Sequence, residues 1–331
     1  MKKLVIALLM CFSFCARADF VAGERAFSNK QYSEAIQHFR PLADSGDFRA
    51  QYYMAYMYLN GYGVITNEAL GLDYLKKSLD QDYHLAQALM GFLYSQGKVV
   101  PADYKKAIAL YQKAADQGNT SAMLNLGVAY YLGEGVPRNL VRAIELLEKI
   151  PIDQQPAAGR YLGDIYLSKN ADNAEPAVKA YSAAAAAGDL PAYVSLASLY
   201  EKGVGVAANK ETALKYYTYA ASEGYAPAQY ALGIMYANGQ GLEQNLVLGH
   251  AWLSWAANQN YEPAVKALEQ LKNEMTLTDL DKARQEFFNI QQNVLGKKGS
   301  PIAEEQQKRA EAAEKESERT RSGRRRRRRG R

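Results

Sequence analysis

Four Gly-x-Gly pairs, at 61/63, 133/135, 203/205 and 239/241, are the residues whose spacing most suggests chemistry. A glycine-rich loop can cradle a phosphate, but a dinucleotide loop follows a strand and needs a third glycine three residues on. Thr66, Arg138, Ala208 and Gln244 occupy that place, and helical patterns precede each pair, so the glycines read as helix stops. Gly296-Lys297-Lys298 lacks the upstream glycine of a phosphate-binding loop, because Gln291 stands there. His38, His84 and His250 have no ligand-like spacing to acidic or cysteine partners. No Gly-x-Ser-x-Gly elbow occurs. The carboxylates are spread along the chain, so no acid/base pair can be nominated. The expectation is a non-enzymatic protein with no cofactor, no metal and no catalytic residue.

The two ends carry a different chemistry. Lys2 and Lys3 precede an apolar run from Leu4 to Phe14, followed by Ala16-Arg17-Ala18. This is the pattern of a secretory signal peptide cut after Ala18, and the run is shorter than the roughly 20 apolar residues a membrane span needs. Cys11 and Cys15 lie inside it, behind Met10 and Phe14 rather than a small residue, so cleavage without lipidation is expected. The mature chain then has no cysteine, hence no disulfide framework and no thiol nucleophile. Residues 19–296 carry 23 basic and 29 acidic residues, a net −6, whereas 297–331 carry 14 and 6, a net +8. Nine arginines and no acid fill 319–331: Arg319, Arg321, Arg324, Arg325, Arg326, Arg327, Arg328, Arg329 and Arg331. Such a block self-repels and is expected to be disordered. Each basic residue near an anionic surface contributes about 1 kcal/mol before screening. The tail therefore reads as a reversible tether to anionic lipid, lipopolysaccharide or an acidic partner, or as a solvated extension. Export argues against nucleic acid. Together these features place the protein in the periplasm or outside the cell, with no transmembrane segment in the mature chain.

The elements that must position everything else come from a repeat. Tyr58, Tyr94, Tyr130, Tyr166, Tyr200 and Tyr236 recur at steps of 36, with one step of 34, and Ala50, Ala86, Ala122, Ala158, Ala192, Ala228 and Ala264 keep the same step. A fixed period of this size means one supersecondary unit stacked on copies of itself. In the copy beginning at Thr120, Ala122, Leu126, Gly127 and Tyr130 follow helical spacing, and Gly133 and Gly135 end that helix. Asn139 then caps a second helix, in a column that reads Asn67, Asp103, Asn139, Asn173, Asn209, Asn245. A column of small residues in helix A (Ala55, Gly91, Gly127, Gly163, Ala197, Gly233) pairs with one in helix B (Ala35, Gly71, Ala107, Ala143, Ala177, Ala213, Gly249). Glycine inside a helix costs about 1 kcal/mol relative to alanine, so two backbones must approach closely there. Met54, Met90, Leu126, Leu162, Leu196 and Leu232 supply bulk from helix A. Phe39, Leu75, Tyr111, Leu147, Tyr181, Tyr217 and Leu253 supply it from helix B.

The pattern Ala-Gln-x-x-Leu-Gly-x-x-Tyr-x-x-Gly-x-Gly-Val, then Asn, then Ala-x-x-Tyr-x-x-Ala-Ala-x-x-Gly, best seen from Ala228 through Gly241, resembles the Sel1-like repeat, a relative of the tetratricopeptide repeat. The resemblance covers roughly residues 24–290. It implies an all-α fold, a right-handed superhelical solenoid of about six to seven antiparallel helix pairs, and a scaffold or adaptor role of a bacterial, exported type. Copies are expected near 48–83, 84–119, 120–155, 156–189, 190–225 and 226–261, with a cap at 262–296 and a disordered tail at 297–331. Ile150-Pro151 should stop helix B of its copy by Ile150, and the next copy is two residues short, which predicts an irregular joint across 150–175. A repeat-like helix begins near Glu24, Thr278 caps a last helix to about Val294, and Trp252 and Trp255 at this junction read as core packing of the cap, with ligand stacking as the alternative.

Subtracting the fixed columns from helix A leaves a variable stripe. It comprises Tyr52 and Tyr56, Ala88 and Phe92, Leu124 and Val128, Arg160 and Asp164, Val194 and Ser198, and Tyr230 and Ile234, each pair at i, i+4. In related arrays helix A lines a concave surface that binds extended partners. The stripe is therefore either the groove for protein partners or the filling between repeats. An alternative gives the leading role to the Arg tail, as a binder of anionic surfaces or nucleic acid, with the solenoid as spacer.

Overall fold

The computed structural model describes residues 19–169 and 174–293. The signal segment with its cut after Ala18, the Asn173 cap, Val294 and the Arg tail lie outside the described residues. Every described regular element is a helix. The chain divides into two compact units, Met1–Leu147 and Glu148–Arg331.

The first unit contains α1 (19–28), α2 (Tyr32–Asp44), α3 (Phe48–Asn60), α4 (Glu68–Leu79), α5 (His84–Gln96), α6 (Tyr104–Asp116), α7 (Thr120–Leu132) and α8 (Leu140–Leu147). α1 is helical from residue 19, earlier than the sequence reading set it. Phe20 is the reason: it is buried at 5% exposure with its ring 5.7 Å from Phe39, so burial extends the helix toward the N-terminus. The second unit contains α9 (Pro156–Lys169), α10 (Glu175–Ala186), α11 (Leu190–Lys202), α12 (Lys210–Ser222), α13 (Ala226–Asn238), α14 (Leu246–Asn258), α15 (Glu262–Lys272) and α16 (Leu277–Asn293). α8 has 8 residues where its counterparts have 12 or 13, and it ends before Ile150-Pro151.

α3, α5, α7, α9, α11 and α13 each pack on the helix that follows, and α15 and α16 both lie against α14. The small columns meet as the spacing predicts. A Cβ added to Gly91 would lie 3.2 Å from the Ala107 carbonyl, and one added to Gly233 3.1 Å from that of Gly249. The bulky columns of both helices are buried throughout, and the six tyrosines of the 36-residue column are all half-buried. Asn67, Asp103, Asn139, Asn209 and Asn245 each accept a backbone N–H three residues on, at 2.9–3.0 Å. Each cap's own N–H donates to the carbonyl of the column tyrosine nine residues earlier, at 2.8–3.0 Å, which pins the loop between the helices. A cap of this kind contributes about 1 kcal/mol.

One device was not read from the sequence. Gln51, Gln87 and Gln229 are buried on helix A, and each Oε1 accepts from a glutamine 30 residues on: Gln81 at 3.0 Å, Gln117 at 2.9 Å and Gln259 at 2.9 Å. Gln51 and Gln229 donate to carbonyls of the preceding helix B, those of Ala43 and Ala221. These ladders satisfy every amide they bury and tie three successive helices together.

The last helix is capped by Thr276, not Thr278. Thr276 Oγ1 accepts from Asp279 N at 3.2 Å and donates to Asp279 Oδ2 at 2.7 Å, a reciprocal box that Thr278, inside the first turn, cannot form. Trp252 is buried, and Trp255 stacks on Phe287 at 4.4 Å while its Nε1 donates to the Phe287 carbonyl at 3.0 Å. His250 lies in this cap with Nδ1 3.3 Å from Ser254 Oγ and a buried Nε2 that has no hydrogen-bond partner among the described residues. Burial, with Lys272 and Arg284 nearby, holds its pKa below the ordinary 6.5. In the unfolded chain the ring takes up a proton near pH 6.5, while in the folded chain it stays neutral to lower pH, so stability is lost as pH falls through that window. Thermal unfolding should therefore show a midpoint that drops between pH 7.5 and pH 5, and the drop should shrink in His250→Leu.

Candidate functional site

The helix-A stripe is the candidate interface, and its members differ in what they touch. In the first unit Tyr52 and Tyr56 sit in an aromatic cluster: Tyr52 lies 5.8 Å from Tyr83, and Tyr56 5.9 Å from Tyr62 and 6.1 Å from Phe27. Burial pushes the Tyr52 hydroxyl up to about 12 and raises that of Tyr56, so both are neutral donors at physiological pH. Ala88, Leu124 and Val128 are half-buried, and Phe92 stands 46% exposed.

Phe92 and Val128 line one cleft of about 200 Å³ in this unit. Tyr104, Ile108 and Tyr111 of α6 form its other wall, and Ser95, Asn125 and Glu134 supply polar atoms. Tyr104 is as exposed as Phe92, at 46%. The Tyr111 hydroxyl lies 3.3 Å from Ser95 Oγ. Glu134 is carried between Gly133 and Gly135, at φ 80° and 74°, in the left-handed region that glycine adopts without strain. Its N–H donates to the Ala129 carbonyl at 3.0 Å, and Gly135 sits so close to Tyr104 that a Cβ would lie 2.7 Å from Tyr104 Cβ. The turn is thus held against the helix.

In the second unit Arg160 and Asp164 are engaged in bonds between helices. Arg160 Nε lies 3.2 Å from Asp189 Oδ1, while Asp189 also caps α11 by accepting from Ala192 N at 2.8 Å. Asp164 accepts the Tyr181 hydroxyl at 2.6 Å. Burial raises the Asp164 pKa, and the Tyr181 bond and the Arg160 charge pull it back. Val194 and Ser198 are half-buried. Tyr230 and Ile234 are half-buried against the last helices, with Tyr230 5.6 Å from Tyr261. A separate cleft of about 450 Å³ opens between α9 and α10, lined by Ile152, Leu162, Pro176 and Ala180 among others, with Glu148 accepting from the Tyr166 hydroxyl at 2.8 Å. Among the described residues no group of three or more His, Cys, Asp or Glu is placed to hold a metal, and no helix is long and apolar enough to cross a membrane.

The Sel1 repeat model matches residues 48–83, 84–119, 120–150, 190–225 and 226–261, more than half of the chain. The chain belongs to the Sel1 repeat family. The match lapses over 151–189, just after the shortened α8, where the next copy has lost its glycine pair, although α9 and α10 still pair there. Among solved structures, a protective antigen of uropathogenic Escherichia coli strains, described as displaying an SLR fold, is similar with a TM-score of 0.73 and 25% identity over 86% of this chain. This chain covers 65% of that protein's length. A Sel1 repeat protein from Oxalobacter formigenes is similar with a TM-score of 0.67 and 26% identity, over 72% of this chain and 96% of that one. Sel1 repeat folds are commonly protein–protein interaction scaffolds and generally non-catalytic.

Proposed function

We propose that this protein is a non-enzymatic interaction scaffold of the bacterial cell envelope that holds protein partners along its helix-A stripe. The observation that carries the reading is the exposed and half-buried apolar character of that stripe in the first unit, where Phe92, Val128, Tyr52 and Tyr56 stand at positions the repeat itself does not fix. Periplasmic or secreted placement rests on the signal pattern before Asp19. The engaged Arg160 and Asp164, and Tyr230 and Ile234 packed against the last helices, mark stretches of the stripe that serve packing, so the binding role is assigned to the first unit.

Affinity capture from an envelope extract tests this. The variant carrying Tyr52→Ala, Tyr56→Ala and Phe92→Ala should lose its partners while its far-ultraviolet circular dichroism is unchanged; a matching loss of helicity would assign the three rings to packing instead. The Arg-rich segment acts as an electrostatic tether in this reading. Removing 319–331 should abolish binding to anionic vesicles at low salt and leave partner capture intact. Vesicle binding that survives the deletion would refute the tether.

A further inference from the structure

We infer that the cleft between Phe92, Tyr104 and Glu134 is a receptor for a single arginine side chain of a protein partner. The inference rests on the helix-A stripe being the binding face and names what that face recognises.

The repeat supplies the argument, because the same place two copies earlier is filled by the chain itself. Subtracting 72 from the cleft residues turns Phe92, Tyr104, Tyr111, Asn125 and Glu134 into Phe20, Tyr32, Phe39, Tyr53 and Tyr62. At that earlier place Tyr62 stacks face to face on Tyr32, with centroids 4.7 Å apart and planes at 8°, and Tyr53 stacks on Phe39 at 4.5 Å and 8°. Two flat rings thus close the gap. In the later copy their positions are taken by Glu134 and Asn125, and an open cleft of about 200 Å³ is left with two exposed aromatic walls. The Tyr104 ring, 46% exposed, is thus open to a flat group lying on it as Tyr62 lies on Tyr32.

The polar groups select the charge of that occupant. Glu134 is the one ionisable acid or base in the lining apart from the two tyrosines, and none of the described residues pairs with its carboxylate. A guanidinium is planar, stacks on aromatic faces and offers a fork of N–H donors to a carboxylate, whereas an ammonium has neither the plane nor the fork. Its methylene stem would run along Ile108 and Val128, which are apolar and half-buried.

The test is a titration of the full-length isotope-labelled protein with acetyl-arginine-methylamide, followed by NMR and set against the lysine and leucine analogues. The arginine probe should move the Ser95, Asn125 and Glu134 signals saturably, and the leucine probe should not. Glu134→Gln, at an exposed turn, should weaken the arginine probe about ten-fold by removing a charge-assisted contact. Glu134→Tyr, which copies the earlier stack, should abolish binding while the protein stays folded. Equal responses to arginine and leucine, or indifference to Glu134→Gln, would overturn the proposal. Signals that move only after the arginines of 319–331 are replaced would overturn it too, giving the cleft to the chain's own tail. Shifts without partner capture would keep the cleft and remove the wider scaffold reading; capture without shifts would remove the cleft alone.

Discussion

Replacing Phe39 by alanine should cost about 3–5 kcal/mol, the range for emptying an aromatic core site. Phe39 has no exposed surface, its ring stacks on Tyr53 at 4.5 Å and touches Phe20, and Gly23 is shaped around it, since a Cβ there would lie 2.6 Å from the Phe39 ring. No neighbour can fill the void without giving up its own stacking. Urea unfolding should show a midpoint lowered accordingly, and hydrogen exchange should place the loosening in α1 to α3. A change below about 1 kcal/mol would mean that the site collapses around the gap, contrary to the close fit described.

Gly249→Val should be the more damaging of the substitutions in the second unit's small column. A Cβ at Gly249 would sit 3.0 Å from Ala237 N and 3.0 Å from the Gly233 carbonyl, both backbone atoms that cannot turn aside. Valine gains helix propensity over glycine by less than about 1 kcal/mol, and over-packing of this kind costs about 1–3 kcal/mol. The balance is a net loss, with α13 and α14 forced apart. Thermal unfolding of Gly249→Val beside Lys266→Val, an exposed position on α15, measures it. A Gly249→Val midpoint at or above that of the wild type would show that the two helices are not in the close contact inferred.

Both effects were legible in outline from the sequence, because spacing exposes whatever recurs. The small columns, the asparagine caps, the tyrosine column and the glycine stops all repeat at fixed phase, and each has one physical job. What stayed hidden was of two kinds. Some contacts join residues at separations a single column does not show, such as Gln51 with Gln81 or Gln229 with Gln259, where the ladder appears only when two columns 30 residues apart are superposed. Others are peculiar to one copy. Arg160 with Asp189 and Asp164 with Tyr181 occupy stripe positions yet join helices, and composition alone does not distinguish a free charge from an engaged one. Thr276 rather than Thr278 caps α16, and the sequence does not separate them because each has an acid three residues on, Asp279 and Asp281. Phe20 keeps the repeat's phase, and that register was the available sign that α1 begins before Glu24. The open cleft belongs to this second kind. It exists because one copy has Asn125 and Glu134 where an earlier one has Tyr53 and Tyr62.

The binding face can be tested by placing a photo-crosslinking benzophenone side chain at Tyr56, Phe92 or Val128 on helix A, and at Val141 on helix B, away from the cleft, in cells making the full-length protein. Val141 is 61% exposed, so the helix-B probe is at least as accessible as the one at Phe92. The account predicts a discrete crosslinked partner from the helix-A positions and none from helix B. Crosslinks arising equally from both faces, or from helix B alone, would contradict it.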